Sequence, residues 1–181
     1  MLSHTATKQA IARAAQVRML IFDVDGVMTD GSLHFSQDGE HIKTFNALDG
    51  QGIKLLQQFG IGTAIISARS SAMVARRAHD LGFDHVYQGV HDKYAAFAQL
   101  LQSSTLQADA CGFVGDDIID LPILTRVGFA ASVQNGHIEV KRRVHYITQA
   151  RGGHGAIREI CDFILQAQGN YGAALAPYLN G

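Results

Sequence analysis

Six short apolar runs recur along the chain, at residues 18–23, 62–67, 85–88, 111–115, 128–131 and 145–147. They lack the polar alternation of a strand with one wet face, so they read as strands buried on both sides. The stretches between them, 50–59, 70–81, 92–102 and 117–126, instead repeat apolar residues every three or four positions, the period of a helix. Buried strands that alternate with helices form a mainly parallel sheet, with right-handed crossovers and helices on both faces. The expected fold class is α/β and Rossmann-like, in a single domain spanning 1–181.

Local signals refine this. Gly60 and Gly82 each follow a helical stretch and suit left-handed caps. Between Asp25 and Asp49 the pattern changes: 32–36 and 40–45 read as two strands around Gln37-Asp38-Gly39. A β-hairpin over about 32–45 thus projects from the first crossover. A last helix is expected over about 154–168, with Ile157, Ile160, Cys161, Ile164 and Leu165 on one face. After Gly169 the composition turns to Gly, Ala and Asn, which predicts an extended or mobile tail over about 169–181.

Composition removes several function classes. With 15 basic side chains against 16 acidic ones, the chain has no electrostatic footprint for nucleic acid or an anionic membrane. No run approaches the ~18 apolar residues of a membrane span. Residues 1–17 lack the apolar centre of a secretory signal, which makes the cytoplasm the expected location. Cys111 and Cys161 stand far apart without metal-ligand spacing, against both a disulfide scaffold and a zinc site. The nine histidines are scattered in the same way. Charged residues make up 17% of the chain, below the ~25% usual in soluble domains, which points to surface buried in an oligomer.

Acidic residues cluster where the strands end. Asp23-Val24-Asp25-Gly26-Val27 leaves the first strand at its carboxyl end, the edge at which open parallel sheets bind ligands. Val114-Gly115-Asp116-Asp117-Ile118-Ile119-Asp120 repeats the arrangement after a second buried strand. Two acidic strand ends form a hard oxygen site suited to Mg²⁺. Asp117 and Asp120 also suit capping of the next helix, the better reading for at least one of them. Ser67 and Lys93 fall at equivalent edges, so a nucleophile, an acid, a hydroxyl donor, a cation and metal ligands share one crevice. That is the set phosphoryl transfer requires. Asp23 would attack phosphorus, Asp25 would protonate the departing alcohol and later deprotonate water, and Ser67 with backbone N–H groups would bind the phosphoryl oxygens.

These four motifs in order resemble those of the haloacid dehalogenase superfamily of phosphatases. The resemblance implies Asp23 as nucleophile, Asp25 as acid/base, Lys93 as the cation, and Mg²⁺ held by Asp23, Asp25 and Asp116, with Asp117 and Asp120 behind them. An Asp at the position of Asp25 favours phosphatase members over ATPase or phosphonatase ones. Capping inserts of that superfamily have no room here, so no cap domain is expected. Finer matches, in Asp23–Gly31, Phe45-Asn46, Asp49-Gly50, Gly52-Ile53, Tyr87-Gln88-Gly89, the run 115–122 and the run 151–159, are similar to the branch of 3-deoxy-D-manno-octulosonate 8-phosphate phosphatases. That branch implies a homotetramer in which neighbouring hairpins close each site and the Gly-rich C-terminal region reaches an adjacent one. His154 lies in that Gly-rich segment and is the one histidine singled out.

The resemblance implies phosphate or sugar contacts at Ser67, Thr29, Gly31, Ala68, Arg69, Arg77 and Lys93. Two positions depart from the branch. Ala68 stands where Gly is usual before Arg69, and Leu48 stands where an Arg often precedes Asp49-Gly50. The second change removes a possible contact to a sugar carboxylate, for which Arg69 and Arg77 are candidate replacements. Two rivals to an eight-carbon substrate stay open, a nine-carbon sialic-acid-type phosphate and a phosphoacceptor signalling domain, which also pairs aspartates, a hydroxyl and a Lys around Mg²⁺.

Overall fold

The structure is a computed structural model that describes residues 8–179. Residues 1–7, part of the amino-terminal segment expected to lack a secretory apolar centre, and the last two residues of the expected tail lie outside the described residues. A short helix α1 (Lys8–Ala14) leads into strand β1 (Met19–Phe22), followed by the hairpin strands β2 (His34–Ser36) and β3 (Gly39–Ile42). Then come helix α2 (Ala47–Gln58), β4 (Gly62–Ile66), α3 (Ala72–Leu81), β5 (His85–Tyr87), α4 (Lys93–Ser104) and β6 (Cys111–Val114). The chain closes with α5 (Leu121–Leu124), β7 (Phe129–Ser132), α6 (Ile138–Lys141), β8 (Tyr146–Ile147), α7 (Ala156–Ala167) and α8 (Tyr171–Leu179).

Among the described residues six strands form one sheet in the order β5-β4-β1-β6-β7-β8, every neighbouring pair parallel, while β2 and β3 pair with each other in a separate two-stranded ribbon. The α/β expectation holds, but burial on both sides does not extend to the edge strands: Val86 of β5 and Ile147 of β8 are 40% and 42% exposed, because each edge strand has a sheet neighbour on one side alone. Alternation along β1 divides the core in two. Leu20 and Phe22 join the apolar layer under α1, α2 and α7, whereas Met19 and Ile21 join the layer under α4 and α5. All four are buried, which is why the run shows no polar alternation.

Two glycines set distances that matter for the strand ends. An added Cβ at Gly52 would meet the Arg158 Cα at 3.1 Å, so α2 and α7 pack with almost nothing between them. An added Cβ at Gly152 would fall 1.7 Å from the Gly26 carbonyl oxygen, so the loop ahead of α7 lies directly on the loop after β1. Asp49 fastens this contact. Buried in the first turn of α2, it accepts from the backbone N–H groups of Arg158 at 2.8 Å and Gly155 at 3.4 Å, at the amino-terminal end of α7.

Two further sequence expectations change, and one helix is added. The stretch 117–126 is a 3₁₀ turn, Ile118–Asp120, followed by the four-residue α5, because the Asp120 carboxylate is taken by backbone N–H groups and Pro122 has none to donate. The segment after Gly169 is not extended: it turns at Gly169 (φ 74°) into α8, whose Ala174 is buried and whose Tyr178 hydroxyl accepts from Gln51 Nε2 at 3.0 Å. Helix α1 is also new, its Ala10 and Ala14 fully buried. No helix among the described residues is long and apolar enough to cross a membrane.

Candidate active site

Strand ends bring the sequence-selected residues together. Asp23 follows β1, Ser67 follows β4, Lys93 opens α4 after β5, and Asp116 follows β6. Together with Asp25, Gly31, Ala68, Arg69, Asp117 and Ile119 they line a crevice of about 270 Å³ at the carboxyl edge of the sheet. A larger hollow of about 620 Å³ opens at the opposite edge beside Arg13, Arg18 and Asp109, away from these groups. Ile119, half exposed at the rim, has no counterpart among the sequence candidates.

Lys93 is the ammonium at the centre. Its Nζ lies 2.9 Å from Asp23 Oδ1 and 2.7 Å from Asp120 Oδ1, and its side chain is almost fully buried. Burial pulls the Lys93 pKa down, but Asp23 and Asp120 outweigh it and leave the group above its ordinary value. Burial, with Asp120 adding to it and Lys93 opposing it, pushes Asp23 up to about 7. Burial and the charges of Asp23, Asp120 and Asp117 push Asp116 up to about 8. Carboxylate oxygens of Asp23, Asp116 and Asp120 lie within 4.8 Å of one another, and Oδ1 of Asp116 is buried with no hydrogen-bond partner among the described residues.

A hard, oxygen-only set with an orphaned acceptor and excess negative charge fits a small divalent cation. Asp120 is committed elsewhere. One of its oxygens takes Lys93 and the other accepts from the N–H groups of Asp116 at 3.0 Å and Asp117 at 3.3 Å. Asp117 accepts from Ile118 N–H at 2.7 Å, the capping role expected for at least one acid of this run. Gly26 lets the two acidic loops meet: at φ 91°, an added Cβ would stand 2.2 Å from Asp116 Oδ2.

Two candidates lie elsewhere. Thr29 is buried outside the crevice lining, where its hydroxyl oxygen accepts from the N–H groups of Gly31 at 3.2 Å and Gly26 at 3.4 Å and so braces the loop after β1. Arg77 is also outside, with Nη2 donating to the Asn46 carbonyl at 3.2 Å and its guanidinium over the Phe45 ring. Arg69 does reach the crevice, 3.7 Å from Asp25 Oδ2. Sequence reading missed Lys43 and Glu40. Lys43 of the hairpin pairs with Asp25 Oδ1 and lies 3.1 Å from Glu40.

Comparison with known proteins fits this geometry. The family model of haloacid dehalogenase-like hydrolases matches residues 85–160. The 3-deoxy-D-manno-octulosonate 8-phosphate phosphatase of Yersinia pestis is 44% identical over 127 residues, 70% of this chain and 68% of that protein. The chain belongs to the haloacid dehalogenase superfamily. It is a phosphatase of that superfamily, related over nearly its whole length to solved structures. The Yersinia pestis enzyme superposes with a TM-score of 0.89 at 42% identity, covering 91% of this chain and 89% of the other. The Moraxella catarrhalis 3-deoxy-D-manno-octulosonate 8-phosphate phosphatase, solved with magnesium, phosphate and the sugar acid, gives 0.92 at 39% identity over 95% and 99%.

The raised carboxylates fix the sign of a pH effect. Unfolded, Asp23 and Asp116 titrate near 3.8; folded and metal-free, they keep protons up to about 7 and about 8. The folded form then binds more protons than the unfolded one across that window, so the metal-free protein loses stability as pH rises through it. A cation at the site offsets this loss. Mg²⁺ is therefore expected to raise Tm more at about pH 8.5 than at about pH 6. Thermal melts with and without Mg²⁺ check it, and equal gains at both pH values would contradict it.

Proposed function

We propose that this phosphatase hydrolyses 3-deoxy-D-manno-octulosonate 8-phosphate to the free sugar acid and inorganic phosphate, a step in lipopolysaccharide precursor synthesis. The observation that carries the reading is the crevice itself, with Asp23, Asp25, Ser67, Lys93 and Asp116 around one volume in a chain similar throughout to enzymes of that name. In this reading Asp23, Asp116 and the main chain at Asp25 hold Mg²⁺. When bound, the ion offsets phosphate charge and the repulsion between the carboxylates. Lys93 favours the ionised form of Asp23 against the opposing effect of burial and is placed to offset charge on the phosphoryl group. Asp23 attacks phosphorus to give an aspartyl phosphate, Asp25 donates its proton to the departing C8 alcohol, and Asp25 then takes a proton from the water that releases phosphate. The hydroxyl of Ser67 and the N–H groups around Gly31 and Ala68 bind phosphoryl oxygens.

Leu48 is 60% exposed on α2 and supplies no cation. With Arg77 held by Asn46 and Phe45, Arg69 is the guanidinium left at the crevice to meet a sugar carboxylate. An acid/base two residues after the nucleophile supports turnover over the stored phosphate of a signalling domain. An uncapped crevice also needs cover. Leu33, Phe35 and Ile42 of the hairpin region are 43%, 62% and 51% exposed, which supports a homotetramer in which neighbouring hairpins close each site.

Phosphate release across a panel of sugar phosphates tests the substrate. The eight-carbon acid phosphate is expected to win clearly, with Mg²⁺ required and with D23N reducing turnover on the order of 10⁴-fold or more while leaving the fold intact. Preference for a nine-carbon acid phosphate would move the substrate, and an active D23N would remove the mechanism. Sedimentation at micromolar concentration is expected to show tetramers; a stable monomer with full activity would contradict shared closure.

A further inference from the structure

The hairpin has a tie to the chemistry that the reading above does not use. Lys43 follows β3, and although its backbone stands at the surface its side chain retains only 1% exposure. Its ammonium group pairs with Asp25 Oδ1 and lies 3.1 Å from Glu40 Oε1. Arg69 closes the group, with Nε 3.7 Å from Asp25 Oδ2 and Nη2 3.6 Å from Glu40 Oε1. Two acids and two bases thus balance. The balance is uneven in geometry, because Lys43 is buried while Arg69 keeps 42% exposure. Fixing a flexible four-carbon stem in one place costs side-chain entropy, so a buried lysine needs a compensating contact. Here that contact is the acid/base of the proposed reaction.

We propose that Lys43 is a positioning residue for Asp25: it holds Oδ1 on the hairpin side and so leaves Oδ2 facing the mouth of the crevice, beside Arg69, where a departing alcohol would receive its proton. Asp25 sits in a loop just beyond β1 and is 21% exposed. Among the described residues Lys43 is the ion-pair partner at Oδ1 and Arg69 the one at Oδ2, so a Lys43 variant frees the carboxylate to rotate. Glu40 keeps Lys43 extended and in place. The hairpin is then part of the catalytic alignment as well as a cover.

The inference rests on Asp23 and Asp25 acting as nucleophile and acid/base, and the test separates the two claims. An alkyl phosphate needs a proton on its leaving oxygen, whereas p-nitrophenyl phosphate departs as a stable anion and needs little help. kcat/KM reports only the steps up to formation of the aspartyl phosphate, so it isolates the acid role from the later base role. K43M and K43R are compared with the unaltered enzyme on 3-deoxy-D-manno-octulosonate 8-phosphate and on p-nitrophenyl phosphate, with Tm in Mg²⁺ measured for each. K43M is expected to lose roughly 100-fold in kcat/KM on the alkyl ester. Its loss on the aryl ester should be at least about tenfold smaller, and K43R should recover much of the deficit. Equal losses on both esters, or no loss on either, would overturn the positioning role, as would a K43M protein whose deficit follows a fall in Tm that K43R shares. An unaltered enzyme inert towards both esters would instead overturn the phosphatase mechanism, and this inference with it.

Discussion

Three carboxylates and one ammonium group meet at the carboxyl edge of the sheet, and the surrounding structure is arranged around that imbalance. Asp23, Asp116 and Asp120 crowd within 4.8 Å, while Lys93 contacts only Asp23 and Asp120. Asp120 is further quieted by two backbone N–H groups. What is left is an orphaned oxygen on Asp116 and an Asp23 whose charge burial resists. Water would relieve such a cluster at a surface; at a buried strand end only a cation or a proton can. The demand for a cation follows from the placement of acids on β1 and β6, which are paired neighbours in the sheet.

Holding that placement requires unusually close backbone contacts. Gly26 allows the Asp23 loop to meet Asp116, and Gly152 lets the loop before α7 rest on the Gly26 carbonyl. Asp49 in turn fixes the start of α7 from α2. Its pKa is raised by burial in spite of those backbone donors, so this clamp carries a desolvation cost of its own. Part of the run 151–159, which the sequence matches to the phosphatase branch, thus lies as a prop against the loop that follows β1.

Much of this was legible before any coordinates. The buried strands betrayed themselves as unbroken apolar runs, and the acids stood immediately after two of them, so the sheet class and the positions of Asp23, Ser67, Lys93 and Asp116 followed from period and order. Local pattern could not show Lys43. It lies in a hairpin whose outer residues are exposed, and its partner Asp25 is 18 residues away across a turn, a distance no helical or strand period encodes. The place of Arg77 was hidden for the same reason: a guanidinium on an amphipathic helix reads as free, and only the fold shows the Asn46 carbonyl and the Phe45 ring beside it. Helix α8 was hidden by its composition, since Gly172 and Pro177 both disfavour a helix that tertiary packing nevertheless forms.

The central claim is covalent: the phosphoryl group passes through Asp23 and not through its neighbours. Quenching the enzyme during turnover, reducing any acyl phosphate with borohydride and mapping the chain by mass spectrometry tests this directly. The account predicts conversion of the Asp23 carboxylate to an alcohol, only when substrate and Mg²⁺ were both present, with Asp25, Asp116 and Asp120 untouched. Reduction at any of those three, or an unreduced chain from an enzyme saturated with substrate and held in its covalent state by slow hydrolysis, would contradict it.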